Sequence, residues 1–244
     1  MIELRGVSKS YGSRPALAPT NLRFADGKTT VLIGPSGCGK STILRLINGL
    51  INPDQGEITI DGHQLTPENL LMRRRGMGYV IQEGGLFPHM TAEQNVWLMM
   101  RHLGEEVKDC VKRVNELARL TRFPEDALTK YPSELSGGQR QRVSLMRGLA
   151  LDPPILLLDE PLGALDPIVR NELQSELKQI FATLKKTVVL VTHDMGEAAY
   201  LGDTIVLMRE GGVVQEGTLE DFRSRPASEF VEQFLNAQRS LVTI

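Results

Sequence analysis

Hydrophobic positions along this chain alternate, then run together, then recur at helical spacing, and each pattern predicts a different element. "MIELRGV" and "TNLRFADG" alternate apolar and polar positions and predict antiparallel strands that end in turns at Gly6 and Asp26-Gly27. "TTVLIG" is a continuous apolar run, the pattern of a strand buried on both faces. It leads into the glycine-rich "GPSGCGKST", after which Ile43, Leu46, Ile47 and Leu50 fall at helical spacing. "GEITIDG" predicts a short strand closed by Asp61-Gly62, and "MGYVIQ" another strand. From Leu86 to about Leu151 the reading is mostly helical, with breaks at Gly104, Pro124 and Pro132. "PILLLDE" and "TVVLVTHD" are buried β-type runs on either side of the amphipathic "RNELQSELKQIFATL". "TIVLMREGGVVQEG" predicts a hairpin turning at Gly211-Gly212, and the tail from Leu219 reads as helical.

Strand–helix–strand alternation of this kind predicts an α/β fold with a mostly parallel central sheet. The helical block interrupts the alternation and reads as an inserted α-helical sub-domain, while the first strands form an antiparallel β part. The expected organisation is one domain over 1–244. Its core covers about 1–85 and 152–220, the helical sub-domain about 86–151, and a helical tail about 219–244. The 244 residues, 41% of them hydrophobic, are enough for a core of that size.

The net charge of −2 gives no global signal for nucleic acid. Met72-Arg73-Arg74-Arg75 reads as a solvated helix end, without the interleaved aromatics of a nucleic-acid patch, so no nucleic-acid partner is expected. Trp97, Met99 and Met100 are expected in the core of the helical block, or, where left exposed, to line an apolar groove in which a membrane partner docks a short helix. Two cysteines, Cys38 and Cys110, are too few for a disulfide framework and read as reduced thiols. No apolar run approaches the roughly 18 residues needed to span a bilayer, and the N-terminus lacks the apolar core of a signal peptide. The expectation is a soluble cytoplasmic chain that serves a membrane only through a partner.

The chemistry concentrates in a few short motifs. Gly34-Pro35-Ser36-Gly37-Cys38-Gly39-Lys40-Ser41, followed by Thr42, fits G-x-x-x-x-G-K-[ST]. Glycines there let the backbone curl so that successive N–H groups face a phosphate, and the following helix adds its positive end. Lys40 can reach the β- and γ-phosphates of a nucleotide, and the Ser41 hydroxyl can ligate Mg²⁺. "ILLLDE" places Asp159 and Glu160 at a strand end; alone, this is equally a solvated acidic turn. Asp159 suits a place near the metal, and Glu160 suits orienting and deprotonating water. His193 and Gln82 also end strand-like runs. His193 is either structural or a holder of the γ-phosphate and attacking water. Gln82 is either a polar strand end or a γ-phosphate and Mg²⁺ sensor. Ligands of open α/β sheets bind at that edge.

"LSGGQRQRVSLMRGLA" adds a second phosphate-binding turn, Ser136-Gly137-Gly138, inside the helical block. It is placed too far into the insertion to fold back on the same nucleotide. A second copy of the chain, head to tail, would bring it to the γ-phosphate from the other side, and a two-fold would then make two composite sites. The simpler alternative is a helix cap.

Taken together these residues resemble the nucleotide-binding subunit of an ABC transporter over nearly the whole length. Gly34–Ser41 is similar to the Walker A motif, Gln82 to the Q-loop, and Leu135-Ser136-Gly137-Gly138-Gln139 to the signature motif. Ile155–Asp159 with Glu160 resembles Walker B, Gly163–Asp166 the D-loop, His193 the switch histidine, and Tyr11 the A-loop aromatic that stacks on adenine. Gly163 stands where many cassettes have Ser, although importer-type cassettes often have Gly. The resemblance implies an ATPase that uses ATP and Mg²⁺. It also implies a homodimer that sandwiches ATP, transmembrane permease subunits as partners, an extracytoplasmic solute-binding protein in the complex, and a place on the cytoplasmic face of the cell membrane. "GYVIQEGGLFPHMT" and "GALDPIVRNELQ" resemble the importer cassettes of the osmoprotectant group, which moves glycine betaine, choline and related quaternary amines. An exporter or lipid-transfer ATPase remains an alternative, as does a soluble non-transport ABC ATPase; the latter would carry a long heptad insertion or a second cassette, which this sequence lacks. Many members of the osmoprotectant group add regulatory CBS domains after the cassette; with the sequence stopping at Ile244, the expectation is that such regulation is absent or lies elsewhere.

Overall fold

A computed structural model describes residues 1–82, 85–163 and 165–239, and contacts divide the chain into two compact units. Unit 1 comprises 1–73 and 185–244, and unit 2 comprises 74–184. α2 (Leu70–Arg75) runs through the division and buries none of its residues.

Unit 1 holds two sets of strands. β1 (Ile2–Tyr11) pairs antiparallel with β2 (Arg14–Phe24) and with β4 (Gln55–Ile60), which in turn pairs with β5 (His63–Gln64). The other set is parallel at its centre: β3 (Thr29–Ile33) lies between β8 (Thr187–Val191) and β9 (Thr204–Arg209), and β10 (Gly212–Gly217) joins β9 antiparallel. Every residue of β3 and β8 is buried, as their unbroken apolar runs require. α1 (Lys40–Ile47) follows β3 and buries Ile43, Leu44, Leu46 and Ile47 completely. Four such side chains contribute on the order of 8 kcal/mol before ordering costs. Burial rather than capping therefore stabilises α1, whose first turn has no side-chain cap. Its leading N–H groups lack helical acceptors, as at any helix start. α7 (Met195–Leu201), α8 (Leu219–Ser224) and α9 (Glu229–Arg239) complete the unit.

Gly6 is not a turn, contrary to the expectation from sequence. β1 continues through it to Tyr11, with a break in register between Leu4 and Val7. Gly6 has φ +60°, and a Cβ on the facing Gly56 would lie 2.4 Å from the Gly6 carbonyl carbon. The pair is a bulge where two backbones approach closely, a second use of glycine that resembles a turn when only one strand is read.

Unit 2 pairs β6 (Met77–Val80) parallel with β7 (Ile155–Asp159). Around them lie α3 (Ala92–His102), α4 (Val107–Leu120), α5 (Gly137–Leu149) and α6 (Pro167–Leu184). Short 3-10 turns at Glu125–Ala127 and Pro132–Glu134 coincide with the two predicted proline breaks. β6 and β7, read from sequence as core strands, cluster with the helices because α5 packs directly on β6. A Cβ on Gly78 would lie 2.2 Å from the Gly148 carbonyl oxygen, so the two glycines set that close approach. α5 and α6 are joined by a buried ion pair in which Arg142 Nε and Nη2 donate to the Glu176 carboxylate at 3.1 and 2.9 Å. On α3, Met100 is buried but Met99 is 42% exposed and Trp97 only half-buried, so the expected core cluster is split across two faces. Among the described residues no helix is long and apolar enough to cross a membrane.

Candidate nucleotide-binding site

The glycine-rich loop joins β3 to α1. Gly34, Gly37 and Gly39 have φ of +143°, +79° and +104°, conformations that other residues rarely adopt. Two of them also lack room for a side chain. A Cβ on Gly34 would lie 2.1 Å from the Met208 carbonyl oxygen, and one on Gly39 2.6 Å from that of Ala16. The loop is thus held against β9 and β2 by direct backbone approach. Lys40 is 5% exposed, and its ammonium donates to the carbonyls of Gly34 at 2.8 Å and Pro35 at 3.1 Å. Those two bonds place a cation at the centre of the loop. Burial pushes the Cys38 thiol up, against the Lys40 ammonium 3.8 Å away, so Cys38 remains a protonated thiol at neutral pH. Pro35, Ser36 and Gly37 form the exposed rim, Thr42 is buried, and Ser41 is half-buried. Tyr11 ends β1 with its side chain 47% exposed. His193 follows β8 and is exposed.

Unit 2 carries the acidic residues. β7 ends on Asp159, which is 5% exposed, and Glu160 follows with φ +46°. This left-handed residue turns the chain at the strand end. Gln82 Nε2 donates to Glu160 Oε2 at 3.2 Å, so these two candidates are in contact. Gly163 lies over the same carboxylate: a Cβ there would be 3.4 Å from Glu160 Oε2. Asp166 has a role that sequence reasoning missed, since its Oδ1 accepts from the N–H groups of Ile168 and Val169 at the start of α6. Ala164, within the motif resembling a D-loop, lies outside the described residues, as do Glu83 and Gly84 after Gln82.

The signature-like segment forms the N-terminus of α5. Ser136 is its N-cap: the hydroxyl accepts from Gln139 N at 3.2 Å, and Gln139 Oε1 accepts from Ser136 N at 2.9 Å. The two glycines differ. A Cβ on Gly138 would lie 2.6 Å from Val169 Cγ1, so Gly138 lets α5 pack against α6; Gly137 has only an ordinary neighbour, Leu165, at 3.6 Å. The turn is therefore a helix cap. Capping consumes the third N–H and leaves the first two without helical acceptors, so a cap and an anion-binding turn are compatible here.

The donors expected at a metal are a hydroxyl (Ser41), an amide (Gln82) and a carboxylate (Asp159). Among the described residues no group of three His, Cys, Asp or Glu side chains could hold a metal by itself. Hard oxygen donors in such small number suit Mg²⁺, which keeps several waters and is bound together with substrate phosphates.

Sequence reasoning also missed the side chains that brace these groups. Asn95 is fully buried and holds the segment after Gln82 by bonds to Phe87 N, Phe87 O and Met90 O. Asp194 caps α7 through Gly196 N and Glu197 N. The Asp-x-x-Glu spacing of Asp194 and Glu197 was the available signal for that helix start, and α7 itself was not predicted.

Comparisons with known proteins point to one family. The profile of the ABC transporter family matches residues 17–163. The choline transport ATP-binding protein OpuBA of Bacillus subtilis is 47% identical over 98% of this chain. The glycine betaine uptake system ATP-binding protein YehX of Escherichia coli is 45% identical over 96% of it and is spanned for 76% of its own length. OpuBA is spanned for only 63% of its length, so this chain covers less than two thirds of that relative. A solved ATP-binding cassette, dimeric and bound to ADP and Pi in a post-hydrolysis state, superposes with a TM-score of 0.82 at 36% identity, covering 90% of this chain and 99% of its own. With a strained glycine loop on a buried strand, a cation held within it and this degree of likeness, the chain belongs to the ABC transporter family as an ATP-binding cassette.

Proposed function

We propose that this chain binds and hydrolyses ATP to energise solute import through a membrane permease, with quaternary-amine osmoprotectants as the solutes. The observation that carries the ATPase reading is the loop of Gly34–Ser41. Backbone strain, an uncapped helix start and the central Lys40 ammonium together make a site for a polyphosphate. In this reading the loop N–H groups hold the β-phosphate and Tyr11 stacks on adenine. Lys40 neutralises charge on the β- and γ-oxygens as it shifts in the transition state. Ser41, Gln82 and Asp159 hold Mg²⁺, which supplies further charge neutralisation at the phosphates. Glu160 orients the attacking water and accepts its proton, and His193 holds the γ-phosphate. A second copy of the chain supplies Ser136, Gly137, Gly138 and Gln139 at the γ-phosphate, with Asp166 beside them. The dimeric, product-bound cassette among the structural neighbours supports that assembly. The chain sits at the cytoplasmic face of the membrane through its permease, and a solute-binding protein on the other side completes the complex.

Relatives named for choline, glycine betaine and carnitine transport, at 43–47% identity, support the solute class. A sulfate/thiosulfate import cassette is 45% identical as well, which fits a chain that performs the common ATPase step while other subunits choose the solute. The test has two parts. Purified Lys40→Ala should fold and lose nearly all ATP hydrolysis; undiminished turnover would remove the loop assignment. In a strain lacking the gene, uptake of labelled choline and glycine betaine should fall and be restored by the parent gene but not by the Lys40→Ala allele. Normal uptake in the deletion strain would overturn the solute assignment alone.

A further inference from the structure

The segment bearing His193 is tethered at three consecutive residues, by groups that belong to none of the nucleotide-binding motifs. Thr192 is 2% exposed. Its N–H donates to Leu32 O at 3.1 Å, and its hydroxyl donates to Glu197 Oε2 at 2.5 Å while accepting from Asp194 N at 3.1 Å. Glu197, in the first turn of α7, is 6% exposed. A buried carboxylate is costly unless hydrogen bonded, and one of its oxygens is committed to the residue just before His193. Asp194 is fixed on the other side: its Oδ1 accepts from Gly196 N and Glu197 N at 2.6 and 3.1 Å. The carbonyl of His193 itself accepts from Gln238 Nε2 at 3.3 Å, reaching over from α9. α9 is anchored in turn, by the buried Val231 and Leu235 and by Phe230, whose ring lies 4.5 Å from the Arg209 guanidinium carbon. His193 itself is exposed.

We propose that Glu197, through Thr192, and Gln238, directly, are positioning residues that hold the main chain of His193 for contact with the γ-phosphate, so that α9 takes part in the hydrolytic step. This rests on the ATPase reading above, in which His193 touches the γ-phosphate. A misplacement of 1 Å at a reacting group costs on the order of 100-fold in rate, so loosening one tether costs less. Thr192→Val, which keeps the shape and removes the hydroxyl, should lower kcat about tenfold, and Gln238→Ala about threefold, each with KM for ATP within about twofold of the parent. Thr192→Ser keeps the hydroxyl and should recover kcat to within about twofold.

The test is kcat and KM of the full chain for these variants, and single-turnover hydrolysis for the same changes in a His193→Ala background. Residues that act through His193 lose their effect once it is gone. The proposal expects Thr192→Val and Gln238→Ala to be silent in the His193→Ala background. It is overturned if either change lowers the rate equally in both backgrounds, if both match the parent, or if the loss appears in KM alone. Should Thr192→Val fail to fold, Gln238→Ala decides, since Gln238 is a half-buried residue on the last helix. A His193→Ala chain that hydrolyses ATP at the parent rate would remove the role of His193 itself. A defective His193→Ala beside unaffected Thr192→Val and Gln238→Ala would leave that role standing and sink only the positioning.

Discussion

Gly34→Ala tests whether the loop's shape, and not merely its composition, carries the chemistry. An alanine Cβ at this position would stand 2.1 Å from the Met208 carbonyl oxygen and 2.9 Å from Cys38 Sγ. The shortest tolerated approach is about 3.0 Å, so the loop or β9 must move by about 0.9 Å. β9 is the less able to move, because it is paired on both sides, with β3 and β10. The displacement therefore falls on the loop, where about 1 Å is worth on the order of 100-fold in kcat/KM. Gly62→Ala is the control. Gly62 also has a positive φ, +75°, but nothing lies within 4 Å of its Cβ. It should lose roughly 1 kcal/mol, a drop in Tm of about 2–4 °C, with kcat unchanged. Both variants would be followed by phosphate release and by thermal unfolding. Parent-like kcat/KM in Gly34→Ala, or an equal activity loss in Gly62→Ala, would refute the argument that close backbone approach fixes the phosphate loop.

Two further outcomes concern stability. Arg142→Gln leaves Glu176, 5% exposed, without its bidentate partner and should cost about 3–5 kcal/mol in denaturant unfolding; a loss below about 1 kcal/mol would contradict the ion pair's role in joining α5 to α6. Asp221 is held down to about 2 by the Thr218 hydroxyl first, then by the Thr218 N–H and Arg225, so its contribution is complete above about pH 4 and is lost as pH falls through about 2. Thr218→Val should raise the midpoint of the Asp221 carboxyl-carbon titration toward the usual Asp range near 4, and an unchanged midpoint would contradict the cause given.

The buried strands were legible because β3, β7 and β8 are each five consecutive buried residues, a pattern that survives without knowledge of neighbours. The glycine loop between β3 and α1 and the cap of α5 were legible for a related reason, since glycine spacing and capping chemistry are local. Gly6 misled because a bulge and a turn make the same demand on φ, and only Gly56, fifty residues away, distinguishes them. α7 was missed because "MGEAAYL" is too short to show a helical period. The brace on His193 was not legible at all. Gln238 lies 45 residues from the carbonyl it meets, and nothing in its local sequence points there. Met99 was expected inside because sequence composition does not say which face of α3 is covered.

In the proposed assembly the two phosphate-binding turns serve one nucleotide between two copies of the chain. Glu160→Gln keeps the geometry at the end of β7 and removes the carboxylate assigned to the water, so ATP should bind and persist. Sedimentation of this variant should then show a monomer without nucleotide and a dimer with ATP. Adding Ser136→Arg places bulk and a cation at the α5 cap, where the account requires the helix N-terminus to approach the γ-phosphate. The double variant should bind ATP as tightly through its own loop and remain monomeric. A double variant that dimerises with ATP as readily as Glu160→Gln alone would contradict the account and leave the Ser136 turn as a helix cap only.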